Sequence, residues 1–482
     1  MFLPIITLTL GLVAPEHPKD IVFPEYVFAP PSAGAFVETL ENGVTVFIAE
    51  DRALPLIQLV ATFRGGSYLD EDQHVGLTSM MASLMRGGGT TTISAEEVDE
   101  RLAFLAANIS VGGSRTNVVA SLDCLSTNFD EAFGLFLDIL QNPGFQESKL
   151  LLEKNTIIEG LKQRNDHPTD ILRREYSSQM FGGSYLGRNP DEVGVLTVTS
   201  EKLGNAHRAI VSPSNLILSV SGDFDKNEML ATLNASFGKW DGGFGVPEPP
   251  NVLSEYAPGI YYVNRDVPQG GVRMGLRTVM RNDPDIEAIE VMNYILGGGG
   301  FSSRITQSVR SDEGLAYGVG SRFSAGVWGD GTWAAGFESK NSTVALATML
   351  VFDEIERIRT EPVSVEDLSL AKSALIEQFP STFQTKSATL GVFVNDTLTN
   401  RDATYWDTYR ERIAAVTVED VQRVANKILR PGEMVVVIVG DWDVINVGDD
   451  GGRANMEDVR AIVGGDVVEL PLRDPLTLEV IR

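Results

Sequence analysis

An arginine and a tyrosine stand seven positions apart in the second half of the chain, as Arg310-Ser-Asp-Glu-Gly-Leu-Ala-Tyr317. A guanidinium can bind a carbonyl or carboxylate oxygen through its forked N–H groups, and a tyrosine hydroxyl can donate a hydrogen bond to an oxyanion. These two side chains are therefore candidates for substrate binding and catalysis. The structural alternative is that Arg310 caps the end of a helix and that Tyr317 is a half-buried strand aromatic.

Glycines divide the elements that must position this pair. A helical pattern ends at a run of four glycines, and the next helix is predicted over residues 301–310. Gly314 ends that helix, and a strand begins at residues 315–319. The glycine run could let a peptide backbone approach closely or could only shape the turn, and both interpretations stay open. Its members are Gly297, Gly298, Gly299 and Gly300.

Metal-binding residue types are few and scattered. The four histidines are His17, His74, His167 and His207. No two of them stand at metal-ligand spacing, so each is predicted to be a surface or capping residue. The single cysteine, Cys124, excludes an internal disulfide and a cysteine-based zinc cluster. It lies in an apolar strand pattern, which favours a buried structural thiol.

Residues 76–90 form an apolar helical pattern bounded by glycines. The apolar side chains that repeat at helical spacing are Met80, Met81, Leu84 and Met85. Framed by Gly-Leu before it and Gly-Thr after it, this stretch resembles the zinc helix of the pitrilysin-type (M16) metallopeptidases. The motif of that helix is His-x-x-Glu-His. Its three functional positions hold Ser79, Ala82 and Ser83 in this chain.

The resemblance implies a zinc site whose ligands are missing here. In the family two imidazoles one helical turn apart share the metal, and the Glu beside the second polarises the bound water. A serine hydroxyl is a poor zinc ligand beside imidazole, and alanine accepts no proton. The family's third ligand is a Glu seven residues after another Glu, a register that runs here from Glu153 to Gly160. Glu159 is one residue out of register, about 100° round the helix. We expect this chain to bind no metal of its own.

The segment around Gly-Leu-Ala-Tyr resembles the Arg/Tyr motif of the same family, and the motif is complete. In the family these two residues come from the second domain and reach the zinc site of the other half or of another subunit. The resemblance implies that Arg310 binds a substrate carbonyl or carboxylate. It also implies that Tyr317 donates a hydrogen bond to the oxyanion formed during peptide hydrolysis.

The chain is long enough for two domains, because a single core stops growing near 250–300 residues. Residues 241–252 are rich in Gly and Pro and are predicted to be the linker. The pattern that begins at Pro213 and ends at Gly-Asp-Phe-Asp returns 218 positions later from Pro431, which indicates two copies of one fold. The predicted fold class is α/β (α+β), with two homologous domains at 30–240 and 253–450 and a C-terminal extension at 451–482. Each domain is expected to be a mainly antiparallel sheet with helices packed on it, the M16/LuxS-like metallohydrolase fold.

The composition of the chain limits the classes of partner that it can bind. A formal charge of −27 and a pI near 4.5 argue against nucleic-acid binding, which needs clustered Lys and Arg. The acidity is compatible with basic peptides, although solubility is the favoured explanation. Residues 1–20 are predicted to be a signal peptide, which implies an extracytoplasmic, periplasmic location. The alternative is an N-terminal segment packed on the domain of a cytoplasmic protein. No other stretch has the length of a membrane span.

Two classes of function follow. The first is a non-catalytic subunit of a heterodimeric zinc metallopeptidase, which supplies Arg310 and Tyr317 to a related partner that carries His-x-x-Glu-His and the zinc. Its substrate would be an unfolded peptide, held as an added strand. The second is a proteolytically inactive peptide-binding or structural subunit. The complete Arg/Tyr pair favours the first class. A relocated metal site is the weakest alternative, since no other ligand cluster is visible in the sequence.

Overall fold

The computed structural model describes residues 28–252 and 255–481 and contains two six-stranded mixed sheets within them. The strands of the first sheet are β1 (Val37–Thr39), β2 (Thr45–Glu50), β3 (Leu56–Arg64), β4 (Asn108–Gly113), β5 (Asn117–Leu125) and β6 (Leu216–Gly222). The strands of the second are β7 (Gly259–Asn264), β8 (Gln269–Arg277), β9 (Ala316–Ser324), β10 (Thr332–Lys340), β11 (Val435–Gly440) and β12 (Val467–Glu469).

Helices flank both sheets. Those of the first half are α1 (Leu77–Gly87), α2 (Ala95–Phe104), α3 (Phe129–Gln141), α4 (Glu147–Lys162), α5 (Pro168–Phe181), α6 (Glu192–Leu196), α7 (Ser200–Ile210) and α8 (Lys226–Ser236). Those of the second half are α9 (Ile286–Asn293), α10 (Arg304–Thr306), α11 (Val344–Thr360), α12 (Val365–Gln378), α13 (Lys386–Leu398), α14 (Tyr409–Ala415), α15 (Val418–Ile428), α16 (Trp442–Val447) and α17 (Met456–Val463).

Local sequence signals explain several of these boundaries. The hairpin of β1 and β2 turns at Asn42-Gly43, and Gly43 has the positive φ of 88° that such a turn demands. Ser94 caps α2, because its hydroxyl accepts a hydrogen bond from the backbone N–H of Glu97 at 3.2 Å. In β5 buried residues alternate with partly buried ones, as expected for a strand with one face in the core.

The two sheets repeat one topology. The order β2-β6-β3-β5-β4 in the first sheet matches β7-β11-β8-β10-β9 in the second. Most neighbouring strands are antiparallel, with parallel pairs at β2/β6, β7/β11 and β7/β12. The predicted fold class, two copies of an α/β unit with mainly antiparallel sheets, is therefore confirmed. The stretch predicted to be a C-terminal extension belongs to the second half. Its strand β12 pairs with β7. Its helix α17 packs on the same half, because Met456, Val459 and Val463 are buried in the core there.

Each half places a long helix on the sheet of the other half. Helix α5, from the first half, packs on β11 and β8 through Ile171, Tyr176 and Met180. Helix α13, from the second half, packs on β2 and β6 through Leu390 and Phe393. Each exchanged helix covers the sheet face opposite the main core. The central strands β6 and β11 are consequently buried along their whole length.

Two arginines at matching strand ends fix these helices. Arg64 ends β3 and donates hydrogen bonds to the carbonyls of Thr397 and Leu398, at the end of α13, at 2.7 and 2.6 Å. Arg277 ends β8, the counterpart of β3, and donates to the carbonyl of Met180 in the last turn of α5 at 3.2 Å. Both arginines satisfy carbonyls that a helix leaves unpaired at its C-terminus, and their charge complements the helix dipole.

None of the helices within the described ranges is both long and apolar enough to cross a membrane. The predicted signal peptide, residues 1–20, lies outside the described residues, as does His17.

Truncation of Phe393 should destabilise the contact between the halves. Its ring is 3% exposed and lies 5.9 Å, centroid to centroid, from both Phe36 and Phe47. We expect Phe393→Ala to lower the free energy of unfolding by about 3–5 kcal/mol, the usual cost of removing a buried aromatic ring. Guanidinium denaturation measures this. Phe244→Ala is the matched control, because Phe244 is 91% exposed. Equal midpoints for the two variants would contradict the packing described.

The stability should also depend on pH through Glu290. This partly buried carboxyl accepts a hydrogen bond from the Tyr409 hydroxyl at 2.9 Å. Burial raises its pKa from 4.5 to about 7. Between these pH values the folded state keeps a proton that the unfolded state has lost, so stability falls as the pH rises from about 4.5 to about 7. Thermal denaturation of Glu290→Gln should show a weaker pH dependence across this window. A constant difference between the variant and the parent protein would contradict the assignment.

Candidate functional site

Helix α1 is well formed although it lacks its expected ligands. The Asp70 carboxylate holds its start, accepting hydrogen bonds from the backbone N–H groups of Gly76 and Thr78 at 2.9 and 3.1 Å. Gly76 has a φ of 99°, which turns the chain into the helix. Burial raises the pKa of the Asp70 carboxyl, an effect that these hydrogen bonds oppose. The local structure therefore depends on Asp70 and Gly76, and among the motif positions Ala82 alone packs in the core.

The positions of the zinc motif carry no metal-binding chemistry. Ser79 and Ser83 are exposed one turn apart on α1, and Ala82 is fully buried. Gly160 is exposed on α4, and a side chain added there would meet no atom within 4 Å. Two hydroxyls, a methyl group and a glycine do not fit a zinc ion. Glu159, one residue out of register, instead pairs with Lys162 at 2.6 Å.

The described residues contain no cluster of three or more His, Cys, Asp or Glu side chains able to hold a metal ion. Two histidines predicted to be surface or capping residues are buried. His207 shares a hydrogen bond with the carbonyl of Leu140 at 2.8 Å, and burial lowers its pKa. His74 contacts Lys202. The prediction of a surface position was wrong for both, and the alternative of a capping role fits His207, because the Leu140 carbonyl lies in the last turn of α3. Cys124 is buried as predicted, which raises the pKa of its thiol to about 11.

Arg310 and Tyr317 lie in direct contact. The guanidinium carbon of Arg310 lies 4.5 Å from the ring centroid of Phe301 and 4.9 Å from that of Tyr317. Both distances are in the range of cation–π attraction. The aromatic rings are 69% and 90% exposed, respectively. The cation is therefore held between two rings that project into solvent.

The geometry contradicts the structural alternative for this pair. Across the part of the chain that the structure describes, the Arg310 guanidinium makes no hydrogen bond or ion pair, so it does not cap a helix. Tyr317 is almost fully exposed and is not a half-buried strand residue. Both side chains keep their hydrogen-bonding groups available for a ligand.

The helix predicted over residues 301–310 begins later and is less regular than predicted. A 3-10 turn covers Gly300–Ser302, and the helix then runs without a break through α10 and a π-helical stretch, Gln307–Asp312. Its predicted start was wrong because Ser303 is extended. The wide π turn carries Arg310, and the left-handed Gly314 then leads into β9.

The glycine run packs closely on its surroundings. A Cβ on Gly297 would lie 2.4 Å from the Ser321 hydroxyl oxygen, and one on Gly298 would lie 2.7 Å from the Asn293 amide nitrogen. Gly297 therefore lets the π-helical turn Tyr294–Gly298 pack against β9, and Gly298 lets the same turn pack on the end of α9. Gly297, Gly298 and Gly300 also line the cavity beside Arg310. Their part in binding a substrate stays a prediction.

A cavity of about 1480 Å³ opens beside the Arg310 and Tyr317 pair. Strands β8, β9 and β10 form one wall, and the start of α5 forms another. Strand β9 lies at the edge of its sheet, so it carries backbone N–H and C=O groups without a strand partner on one side. The basic residues in the lining are Arg173, Arg273, Arg310, Arg322 and Lys340, and the acidic ones are Glu313 and Glu338. The cavity is thus basic although the whole chain is strongly acidic.

Two residues of this site were predicted from the sequence, and two other features of it were not. The motif identified Arg310 and Tyr317, and the structure places them together. Phe301, which stacks on Arg310, was not singled out. Its position directly after four glycines, in a segment with few apolar neighbours to bury it, could have identified it as exposed. The basic lining had no local signal, because its residues come from separate strands and helices.

The chain is similar to known proteins over most of its length. A sequence profile described as Insulinase (Peptidase family M16) matches residues 55–190, and one described as Peptidase M16 inactive domain matches residues 197–375. An uncharacterized zinc protease of Rickettsia felis is 24% identical over 70% of this chain and 81% of the relative. The protein named non-peptidase homolog YmxG of Helicobacter pylori is 24% identical over 76% of this chain and 84% of that protein.

A solved structure shares the fold. The peptidase M16 inactive domain from Pseudomonas fluorescens superposes with a TM-score of 0.76 at 22% identity, covering 84% of this chain and 97% of that one. The two profiles together cover well over half of the chain, in the order expected for one family. The chain belongs to the M16 peptidase family.

Proposed function

We propose that this chain is the non-catalytic subunit of a heterodimeric zinc metallopeptidase that hydrolyses unfolded peptides. In this proposal a related M16 subunit carries His-x-x-Glu-His and the zinc, and this chain contributes Arg310 and Tyr317 to that site. The observation that carries the proposal is the Arg310 guanidinium, which is held between two exposed aromatic rings at a large cavity without an ion-pair partner in the described chain.

The residues at the positions of the zinc motif support the assignment of the zinc to the partner subunit. Ser79, Ala82, Ser83 and Gly160 give this chain no ligand set, so the metal belongs to the partner. The fold around these positions is intact, as the Asp70 contacts show. Loss of the ligands with retention of the fold is expected of a subunit selected for assembly and substrate binding.

Arg310 and Tyr317 would supply groups that the zinc site of the partner subunit does not have. The zinc of the partner would supply the activated water. The forked N–H groups of Arg310 would bind a carbonyl oxygen of the substrate and orient the peptide. The Tyr317 hydroxyl would donate a hydrogen bond to the scissile carbonyl oxygen as it gains negative charge. Stacking on Phe301 keeps the guanidinium in place before substrate arrives, which reduces the entropy lost on binding.

The cavity suits an extended peptide. The free edge of β9 can bond to a peptide main chain, a mode that accepts many sequences because it uses backbone groups alone. The glycine run lies along the same wall and leaves room for the peptide. The substrate class in this proposal is therefore an unfolded peptide. We also propose an extracytoplasmic, periplasmic location, which rests on the apolar residues 2–13.

A second candidate function is a peptide-binding or structural subunit with no proteolysis. The name of the Helicobacter pylori relative, a non-peptidase homolog, favours it. Both functions use the same fold and the same cavity. They differ in whether Tyr317 affects a reaction, so substitution of this residue separates them.

Removal of the Tyr317 hydroxyl should slow the complex without disrupting it. We expect Tyr317→Phe to lower the turnover of the assembled peptidase by about 100- to 1,000-fold, the usual effect of losing one oxyanion donor. The ring, and with it the stacking on Arg310, is retained. Turnover of a quenched fluorescent peptide and the amount of complex eluted by size exclusion are the two measurements.

The matched control is Tyr262→Phe. Tyr262 lies on β7 of the same sheet, stacks on Trp442 at 3.9 Å and does not line the cavity. Its substitution should leave turnover unchanged. Full activity of the Tyr317→Phe complex would remove the catalytic role and leave the peptide-binding function as the better account.

A further inference from the structure

Three cations lie on the sheet face that forms one wall of the large cavity. They are Arg273 on β8, Arg322 on β9 and Lys340 on β10. Directly paired residues of neighbouring strands point to the same face of a sheet. Arg273 is paired with Gly336 of β10, and Arg322 is paired with Ala334 on that strand. Side chains alternate along β10, so Lys340 shares the face of Ala334 and Gly336. All three cations are exposed.

These cations have no carboxylate partner in the part of the chain that the structure describes. None of the ion pairs there involves Arg273, Arg322 or Lys340. Arg273 instead stacks on the Tyr176 ring of α5, with its guanidinium carbon 5.0 Å from the ring centroid. Because the three side chains are exposed, their charged groups are open to a ligand in the cavity.

Small residues between the two arginines leave room for a ligand. The residues of β10 that separate them on the cavity side are Ala334 and Gly336. The strands of Arg273 and Arg322 are about 10 Å apart, because neighbouring strands lie about 4.8 Å apart. Gly320 of β9 is paired with Gly336 and continues this strip. No side chain longer than a methyl group projects from the strip, so a peptide can lie close to the sheet between the cations.

The carboxylates in the cavity lining do not balance these charges. Glu313 is paired at 2.8 Å with Arg453, which lies outside the lining. Glu338 is exposed and has no ion-pair partner among the described residues. Arg310 adds a further cation without a carboxylate partner there. The cavity therefore has an excess of unpaired positive charge, in a chain whose formal charge is −27.

The matching face of the first sheet shows that the fold does not require these cations. Strands β3, β4 and β5 correspond to β8, β9 and β10, and the strand ends Arg64 and Arg277 align the two registers. At the positions of the three cations the first sheet has Val60, Gly112 and Leu125. The cavity on that face, of about 350 Å³, is lined by uncharged side chains. The cations are thus a property of the second sheet, and like charges on one face do not stabilise it.

We propose that this wall selects peptide segments with acidic side chains, and that Arg273, Arg322 and Lys340 determine this specificity. Asp and Glu carboxylates would accept charge-assisted hydrogen bonds from the cations while the peptide main chain lies along the small residues. That the cavity takes a peptide rests on the proposed function, and the acidic preference goes beyond it. A nucleic acid fits less well, because it would extend beyond the cavity over a strongly acidic chain.

Binding to this chain alone tests the preference without zinc or a partner. Three labelled peptides of equal length, blocked at both ends, carry four Glu, four Gln or four Lys residues in the same Gly/Ser sequence. Fluorescence anisotropy at low and at physiological salt gives the dissociation constants. We expect the Glu peptide to bind about ten-fold or more tightly than the Gln peptide at low salt, and salt to reduce the difference. The charge of the whole chain would instead favour the Lys peptide.

Two substitutions with opposite effects locate the preference in this cavity. Arg322→Gln should weaken binding of the Glu peptide by about three-fold or more, because it removes a cation from the wall. Glu338→Gln should strengthen binding of the same peptide, because it removes a repelling carboxylate. Arg52→Gln is the matched control for Arg322→Gln. Arg52 is exposed in the first half and outside the cavity, and its substitution changes the net charge equally. It should leave the preference unchanged.

Three outcomes would overturn the proposal. The first is equal binding of the Glu and Gln peptides. The second is an equal loss of affinity for the Glu peptide in Arg322→Gln and Arg52→Gln. The third is tighter binding of a single-stranded oligonucleotide with four phosphates than of the Glu peptide, which would assign the cavity to nucleic acid.

The result separates this proposal from the peptidase proposal. A preference for the Glu peptide in the isolated chain, with no cleavage by any mixture with a zinc-bearing subunit, would retain the acidic specificity and reject the catalytic role. Peptide cleavage by such a mixture, without a preference for the Glu peptide in binding, would do the reverse.

Discussion

The reciprocal exchange of helices between the two sheets is the constraint on which the rest of the structure depends. Each sheet has one face on its own core and the other face covered by a helix from the opposite half. Burial of the central strands on both faces requires these helices, because a continuous apolar strand is stable only when both of its faces are covered. Arg64 and Arg277 hold the two helix ends in equivalent ways. The halves therefore form one structural unit.

This exchange also builds the candidate site. Helix α5 comes from the first half, yet it forms a wall of the cavity that contains Arg310 and Tyr317 in the second. An adjacent side of α5, which shares Arg173, lines a second and smaller cavity. A change in the packing of α5 would therefore alter both cavities together.

The loss of zinc ligands left the fold intact for a physical reason. The stability of α1 comes from apolar side chains that face the core and from the Asp70 contacts at its start. Ser79 and Ser83 lie on the exposed face, where substitutions cost little stability. The family fold can thus persist without the residues of the zinc motif. Tyr317 is also exposed, so stability alone gives no reason for its presence.

Sequence patterns predicted the features that depend on local order. The Asn42-Gly43 hairpin, the cap of α2 and the positions of the Arg/Tyr motif all follow from residues close together in the chain, and the repeat follows from two such local patterns that match each other. The exchanged helices could not be predicted, because α5 has the same amphipathic pattern whichever sheet it covers. The late start of the helix that carries Arg310 reflects the extended backbone of Ser303. The basic lining of the cavity beside Arg310 combines residues from distant segments, so it could not be predicted locally. The acidic composition of the chain gave no indication of a basic cavity.

The most direct test of the central claim is a measurement of peptidase activity and bound zinc on three samples. These are this chain alone, an M16 subunit with His-x-x-Glu-His alone, and the two mixed in equal amounts. The account predicts that the mixture cleaves an unfolded peptide, that this chain alone does not, and that zinc is found on the partner. Peptide cleavage by this chain alone with one bound zinc, or no gain in activity on mixing with a partner that it binds, would contradict it.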